Sequence, residues 1–197
     1  MQSTEIKQLL EERRSIRKFD EGRPVPDEVV ADILAAQRVA SSAANLQPLR
    51  YAVVRSPALV DAVFPLLKWA ARLPPELGVP QPGERPVLYV AVLVDTQVKS
   101  PWAQIDAGLA LSNITLAAQA HGIASCILAS VDRPALAQLL ALPAELEINT
   151  VVAFGYPAVS SRVVDPAEGD GTLGYYLDED RNYCVPKRPI VEAVRIY

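Results

Sequence analysis

Three guanidiniums and a hydroxyl fall within five residues at Arg13-Arg14-Ser15-Ile16-Arg17. Arginine presents a rigid fork of donors that matches phosphate oxygens, so the group could converge on one phosphate. If the run is extended, Ser15 and Arg17 point to the same side, two residues apart. Taken alone, such a run is more often a solvated face. A second candidate is Ser41-Ser42-Ala43-Ala44-Asn45-Leu46-Gln47-Pro48. Its small residues allow the backbone close to a planar ligand, and Asn45 and Gln47 bring amide donors and acceptors. Alone, it reads as an ordinary polar turn. A third lies within residues 106–122, where Asn113 sits among apolar neighbours and must find a partner. His121, at the predicted helix end, complements the helix dipole.

What is missing narrows the chemistry further. His121 is the single histidine, and Cys126 and Cys184 are the only cysteines. A four-cysteine iron–sulfur set and a Cys2His2 zinc site are therefore impossible, and no HExxH or CxxC occurs. A Ser-His-Asp hydrolase would rest entirely on His121. Cys126, on an apolar stretch, reads as an inert core thiol, and Cys184, near Lys187, as a somewhat more reactive one. No GxGxxG or GxxxxGK[ST] motif appears, which argues against a Rossmann or P-loop nucleotide site.

These residues sit in a chain of 197, half of it apolar, with 19 basic and 23 acidic side chains. That length can bury a core without disulfides or a structural metal. The acidic balance lacks a nucleic-acid footprint. The longest apolar run, Val87 to Val94, is too short to span a bilayer, and the N-terminus lacks an apolar signal region. The expectation is a cytoplasmic protein with no membrane and no nucleic-acid partner.

Periodicity supplies the elements. Helices are predicted at about 4–14, 26–38, from Pro57 to near Pro65, at 102–121 and from Arg133 to Leu140. Strands are predicted at Tyr51 to Arg55, Val87 to Val94, Ile123 to Ser130 and Ile148 to Phe154. Apolar residues surround the axis of 102–121, so that helix is expected to be buried all round, with Gly122 as its stop. Leu73 to Pro86 holds five prolines and is expected to be irregular, either plain surface or a lid. Asp165 to Gly174 reads as a polar loop and the tail from Tyr175 as mixed. Alternating strands and helices give an α/β or α+β class.

The order of these pieces resembles the nitroreductase family of FMN-dependent oxidoreductases. The motifs are RRSIRKF at 13–19, SSAANLQP at 41–48, DAGLALSNITLAAQAHGIASC at 106–126, FGYP at 154–157 and VPKRP at 185–189. The resemblance implies an α+β fold with a central mixed, mainly antiparallel sheet flanked by helices. It implies one FMN-binding domain over residues 1–197, working as an intertwined homodimer with FMN at the subunit interface. Arg13, Ser15 and Arg17 match the phosphate and flavin contacts, with Arg14 contributing through its backbone. Arg17 is the candidate cation for the N1/O2 edge of the flavin. Ser42, Ala43 and Asn45 match the flavin-facing loop, supplied by the other subunit. Leu128, Ala129 and Ser130 match the strand end lying along the flavin ring, and Lys187 and Arg188 the basic pair that returns to the phosphate.

No side chain is expected to act as a catalytic acid or nucleophile, because FMN carries the electrons. NADH or NADPH would serve as reductant and a nitroaromatic, quinone or similar small molecule as acceptor, in a ping-pong cycle. Two departures bear on the acceptor: Leu49 stands where many relatives have Trp after Gln-Pro, and Ala129-Ser130 where some have Glu-Gly. Rival readings are a specialised flavoenzyme of the same fold (reductive dehalogenation or flavin fragmentation), a non-enzymatic FMN-binding protein, and a phosphate-binding domain without flavin.

Overall fold

A computed structural model describes residues 3–197. The elements, in chain order, are α1 (Ser3–Glu12), α2 (Asp27–Gln37), β1 (Leu49–Val54), α3 (Pro57–Val63), α4 (Pro75–Gly78), β2 (Leu88–Asp95), α5 (Ala103–Ala120), β3 (Ala124–Leu128), α6 (Arg133–Leu139), β4 (Leu146–Gly155), β5 (Ser161–Val164), β6 (Tyr176–Leu177), β7 (Tyr183–Pro186) and α7 (Ile190–Ala193). The predicted helices and strands fall at these positions to within a few residues. The predicted start of the first helix at residue 4 falls one residue inside α1. The prolyl segment adds α4, and three short strands appear beyond residue 160.

β1, β2, β4 and β3 form one sheet in that order, with every neighbouring pair antiparallel. β2 lies inside it, and its side chains alternate between two cores, as a strand's must. Tyr89, Ala91 and Leu93 join one cluster with α3, α6, Ile16 and Phe19. Leu88, Val90 and Val92 join the other, with Val30 and Ile33 of α2 and Ala107, Leu111, Ile114 and Ala118 of α5. The uninterrupted apolar run of β2 therefore reflects two covered faces. The C-terminal strands form a second, three-stranded sheet, β5-β7-β6, with β5 parallel to β7.

α5 ends as expected. Gly122 takes a φ of +70°, and the amide of Ile123 returns to the Ala118 carbonyl, closing the C-terminal turn. Asn113 finds its partner, donating to the Ala36 carbonyl at 3.2 Å. The all-round burial expected of α5 does not hold within the chain. Ile105 is 57% exposed and Leu109 43%. The physical reason is layering: α5 packs against the sheet and α2, and among the described residues its outer stripe is left uncovered. Among the described residues, no helix is long and apolar enough to cross a membrane.

Candidate functional site

The basic run is extended, as its spacing predicts, and it lies against the sheet. Ser15 bridges Ser125 of β3 in parallel, and the Ile16 amide donates to the Ser125 carbonyl at 3.0 Å. Side chains then alternate: Ile16 and Lys18 are buried, while Ser15 and Arg17 stand on the open side. Among the described residues Arg13, Arg14 and Arg17 form no ion pair. Burial, and then the charge of Arg13, pull the Arg14 guanidinium below its ordinary pKa. The Arg14 Nε is buried with no hydrogen-bond partner. Neighbouring cations with an orphaned donor are the arrangement an anion relieves.

Arg17 is pinned by aromatic rings rather than by carboxylates. Its guanidinium lies 4.7 Å from the ring centre of Tyr175 and 5.4 Å from that of Tyr183. Burial pushes the Tyr183 phenol up to about 12. The same burial raises the Cys126 thiol, against a smaller opposing pull from Arg17, so Cys126 is the inert core thiol expected. Cys184 is equally buried, at 0% exposure, which corrects the expectation of greater reactivity: β7 turns it inward.

Lys18, missed by the sequence reading, is fully buried and pairs with Glu84 at 3.4 Å. Glu84 also takes Arg181 at 3.3 Å, and its carbonyl accepts the Phe19 amide at 2.9 Å. The end of the prolyl segment is thus tied to the basic run. Phe19 packs on Gly155, where an added Cβ would lie 3.0 Å from that of Phe19, so the glycine of FGYP permits the close approach.

At the far end of β3, Leu128 is buried and Ala129 and Ser130 are exposed. The Ala129 carbonyl accepts from Arg133 at 3.0 Å, and the Ser130 carbonyl from the Lys68 amide at 3.0 Å. The basic run and this strand end therefore share one edge of the sheet. The loop at 41–48 leads into β1, on the opposite edge. Three strand spacings, roughly 14 Å, separate β1 from β3. Ser42 and Ala43 are bonded to Asp106 of α5, and the side-chain oxygen of Asn45 accepts from Gln47 at 3.0 Å. The loop borders a cleft of about 360 Å³ with Arg38, Tyr51 and Asp106. Lys187 and Arg188 follow β7, both exposed, and Arg188 pairs with Glu192 at 3.2 Å. They lie at the opposite end of β7 from Tyr183, about 13 Å along the strand. His121 keeps the structural role expected of it, capping α5 with its Nε2 3.4 Å from Asp32.

A model of the nitroreductase family, compared with this sequence, matches residues 10–156. This chain belongs to that family. Its relatives include an Archaeoglobus fulgidus protein named for NADH dehydrogenase and NAD(P)H nitroreductase, 32% identical over 78% of this chain and 86% of its own length. A Thermus thermophilus protein named NADH dehydrogenase is 30% identical over 74% of this chain and 83% of its own. A Desulfovibrio desulfuricans structure, described as a nitroreductase in complex with FMN, superposes with a TM-score of 0.69 and 25% identity, covering 98% of this chain and 96% of that one. The nitroreductase fold, an antiparallel sheet flanked by helices, accounts for the architecture seen here.

Proposed function

We propose that this protein is an FMN-dependent oxidoreductase that uses NADH or NADPH to reduce a nitroaromatic, quinone or similar small acceptor. The observation that carries the reading is the trio Arg13, Arg14 and Arg17, without ion-pair partners among the described residues, beside an exposed strand end, in a chain of the nitroreductase family. A phosphate monoester carries about −1.5 to −2 charges, so more than one of these guanidiniums can share it. The orphaned Nε of Arg14 fits that anion. The names of the relatives support the reductant and the cofactor.

When bound, FMN supplies a two-electron carrier between nicotinamide and acceptor. The chain supplies position and electrostatics. Arg13 and Arg14 receive the phosphate, with Lys187 and Arg188 added from the tail, and Ser15 offers a hydroxyl on the same open side. Arg17, steadied by Tyr175 and Tyr183, holds a cation at the pyrimidine edge of the ring system. Leu128, Ala129 and Ser130 present their backbone along the ring. Ser42, Ala43 and Asn45 lie on the opposite sheet edge, so they can line the same cofactor only from a second copy. The uncovered stripe of α5, with Ile105 and Leu109, offers that copy an apolar seat beside the loop. We therefore assign a homodimer with two shared FMN sites, each chain acting as one FMN-binding domain.

Light scattering combined with flavin quantitation should give a dimer with one FMN per subunit. An anaerobic titration should bleach the bound flavin with NADH or NADPH and restore its colour with an added quinone. A colourless protein, or a flavin that no nicotinamide bleaches, would sink the proposal.

A further inference from the structure

The segment 42–47 is held by side chains that serve no part of the core. Asp106 is 2% exposed, and a buried carboxylate has to be hydrogen-bonded. Its Oδ2 accepts the Ser42 hydroxyl at 2.7 Å and its Oδ1 the Ala43 amide at 3.1 Å. The Ser42 Oγ in turn accepts the Gln47 amide at 2.9 Å, closing the base of the loop. A second clamp stands beside it. Arg50 donates to the carbonyls of Gln47 and Leu49 at 3.0 and 2.9 Å, and is itself fixed by Asp95 at 2.9 Å.

Between the clamps the backbone is strained. Ala44, Asn45 and Gln47 have φ of 50°, 53° and 50°, the left-handed region that residues with a Cβ avoid. Three such residues among four persist only where the surroundings enforce them. Packing is not the reward, because Ala44, Asn45, Leu46 and Gln47 are all exposed. What the strain achieves is presentation. The Gln47 side-chain Nε2 donates to the Asn45 Oδ1 at 3.0 Å, which occupies that oxygen and leaves the Asn45 Nδ2 as the donor for a ligand.

We propose that Asp106 is a positioning residue for the cofactor: through Ser42 and Ala43 it holds the loop in its left-handed form, so that Asn45 is presented pre-formed to the flavin. This rests on the FMN reading above. A loop already in its bound shape gives up less freedom on binding, which is the source of the affinity. Asp106 acts on the cofactor only through residues 42–47.

The test is a double-mutant cycle on the whole protein, read by FMN affinity from flavin fluorescence and by amide hydrogen exchange of the cofactor-free protein. Asp106→Asn keeps the shape but removes one acceptor oxygen. It should speed exchange at the Ala43 and Gln47 amides by tenfold or more and weaken FMN by about tenfold. Asn45→Asp, which tolerates the left-handed φ and keeps the Oδ1 acceptor but removes the Nδ2 donor, should weaken FMN with no change in exchange at those two amides. The double variant should lose no more than the worse single one, because the two substitutions break one chain of contacts. Additive losses, or a loosened loop with unchanged FMN affinity, would overturn the assignment. A wild type that takes up no FMN would overturn it together with the cofactor reading, and is told apart because the failure precedes any substitution.

Discussion

The two halves of the candidate site are held in opposite ways. The basic run 13–17 takes its place from backbone: it bridges β3, and its inner row, Ile16 and Lys18, is packed into the molecule. Its outward side chains form no ion pairs among the described residues. The loop 42–47 takes its place from side chains, Asp106 and Arg50, while its own backbone is strained and its tip is exposed. The first half keeps charge ready for an anion; the second keeps shape ready for a ring. Substitutions should therefore act differently on the two: charge and burial on the first, conformation on the second.

The largest effect is expected where the basic half is anchored. Glu84→Ala leaves the buried Lys18 ammonium without its partner, and removing one side of a buried pair costs about 3–5 kcal/mol. Urea unfolding measures this, and a loss near zero would mean that Lys18 finds water or another acceptor. Next come the outward guanidiniums. Arg13→Ala should weaken FMN by about 10- to 100-fold, the worth of one charge-assisted contact. Arg17→Ala should instead lower the midpoint potential of the bound flavin by roughly 30–60 mV, because negative charge at the pyrimidine edge grows only on reduction. If Arg17→Ala releases FMN and leaves the potential of the remainder unchanged, Arg17 belongs with the phosphate and the division fails.

Alkaline titration probes both halves at once. Tyr183 lies beneath Arg17 and Tyr51 borders the loop-side cleft; burial pushes each up to about 12. A phenol ordinarily ionises near 10. The folded form holds these protons more tightly, so their contribution to stability is intact below about pH 10 and is lost as pH rises toward about 12. Tyrosinate absorbance should show both among the late phenols, together with Tyr89 and Tyr176, which burial also pushes up, and Tyr183→Phe should remove one of them. The smallest effect is expected at the loop tip. Ala44→Gly relieves a left-handed φ but adds freedom to the unfolded chain, so stability should rise by less than about 1 kcal/mol. A clear loss would show that Ala44 is not strained.

Local order was legible in the sequence. The apolar run of β2, the stop at Gly122, the alternation through Ser15 and Arg17, and the ordered family motifs all depend on neighbours within a few residues. Periodicity records which side of an element is buried, and the motifs record which chemistry is kept together. Tertiary structure alone decided what meets across the chain. Asp106 finds Ser42 sixty-four residues away, Lys18 finds Glu84 in the prolyl segment, and Arg17 rests on rings from the tail. The strand order β1-β2-β4-β3 sets the loop and the basic run on opposite edges. For α5 the sequence showed an apolar surround too long for one chain to hide, but not which stripe, Ile105 and Leu109, stays uncovered. Apolar composition states that a face avoids water, whereas whether this chain or a second copy covers it depends on how many layers the fold can stack.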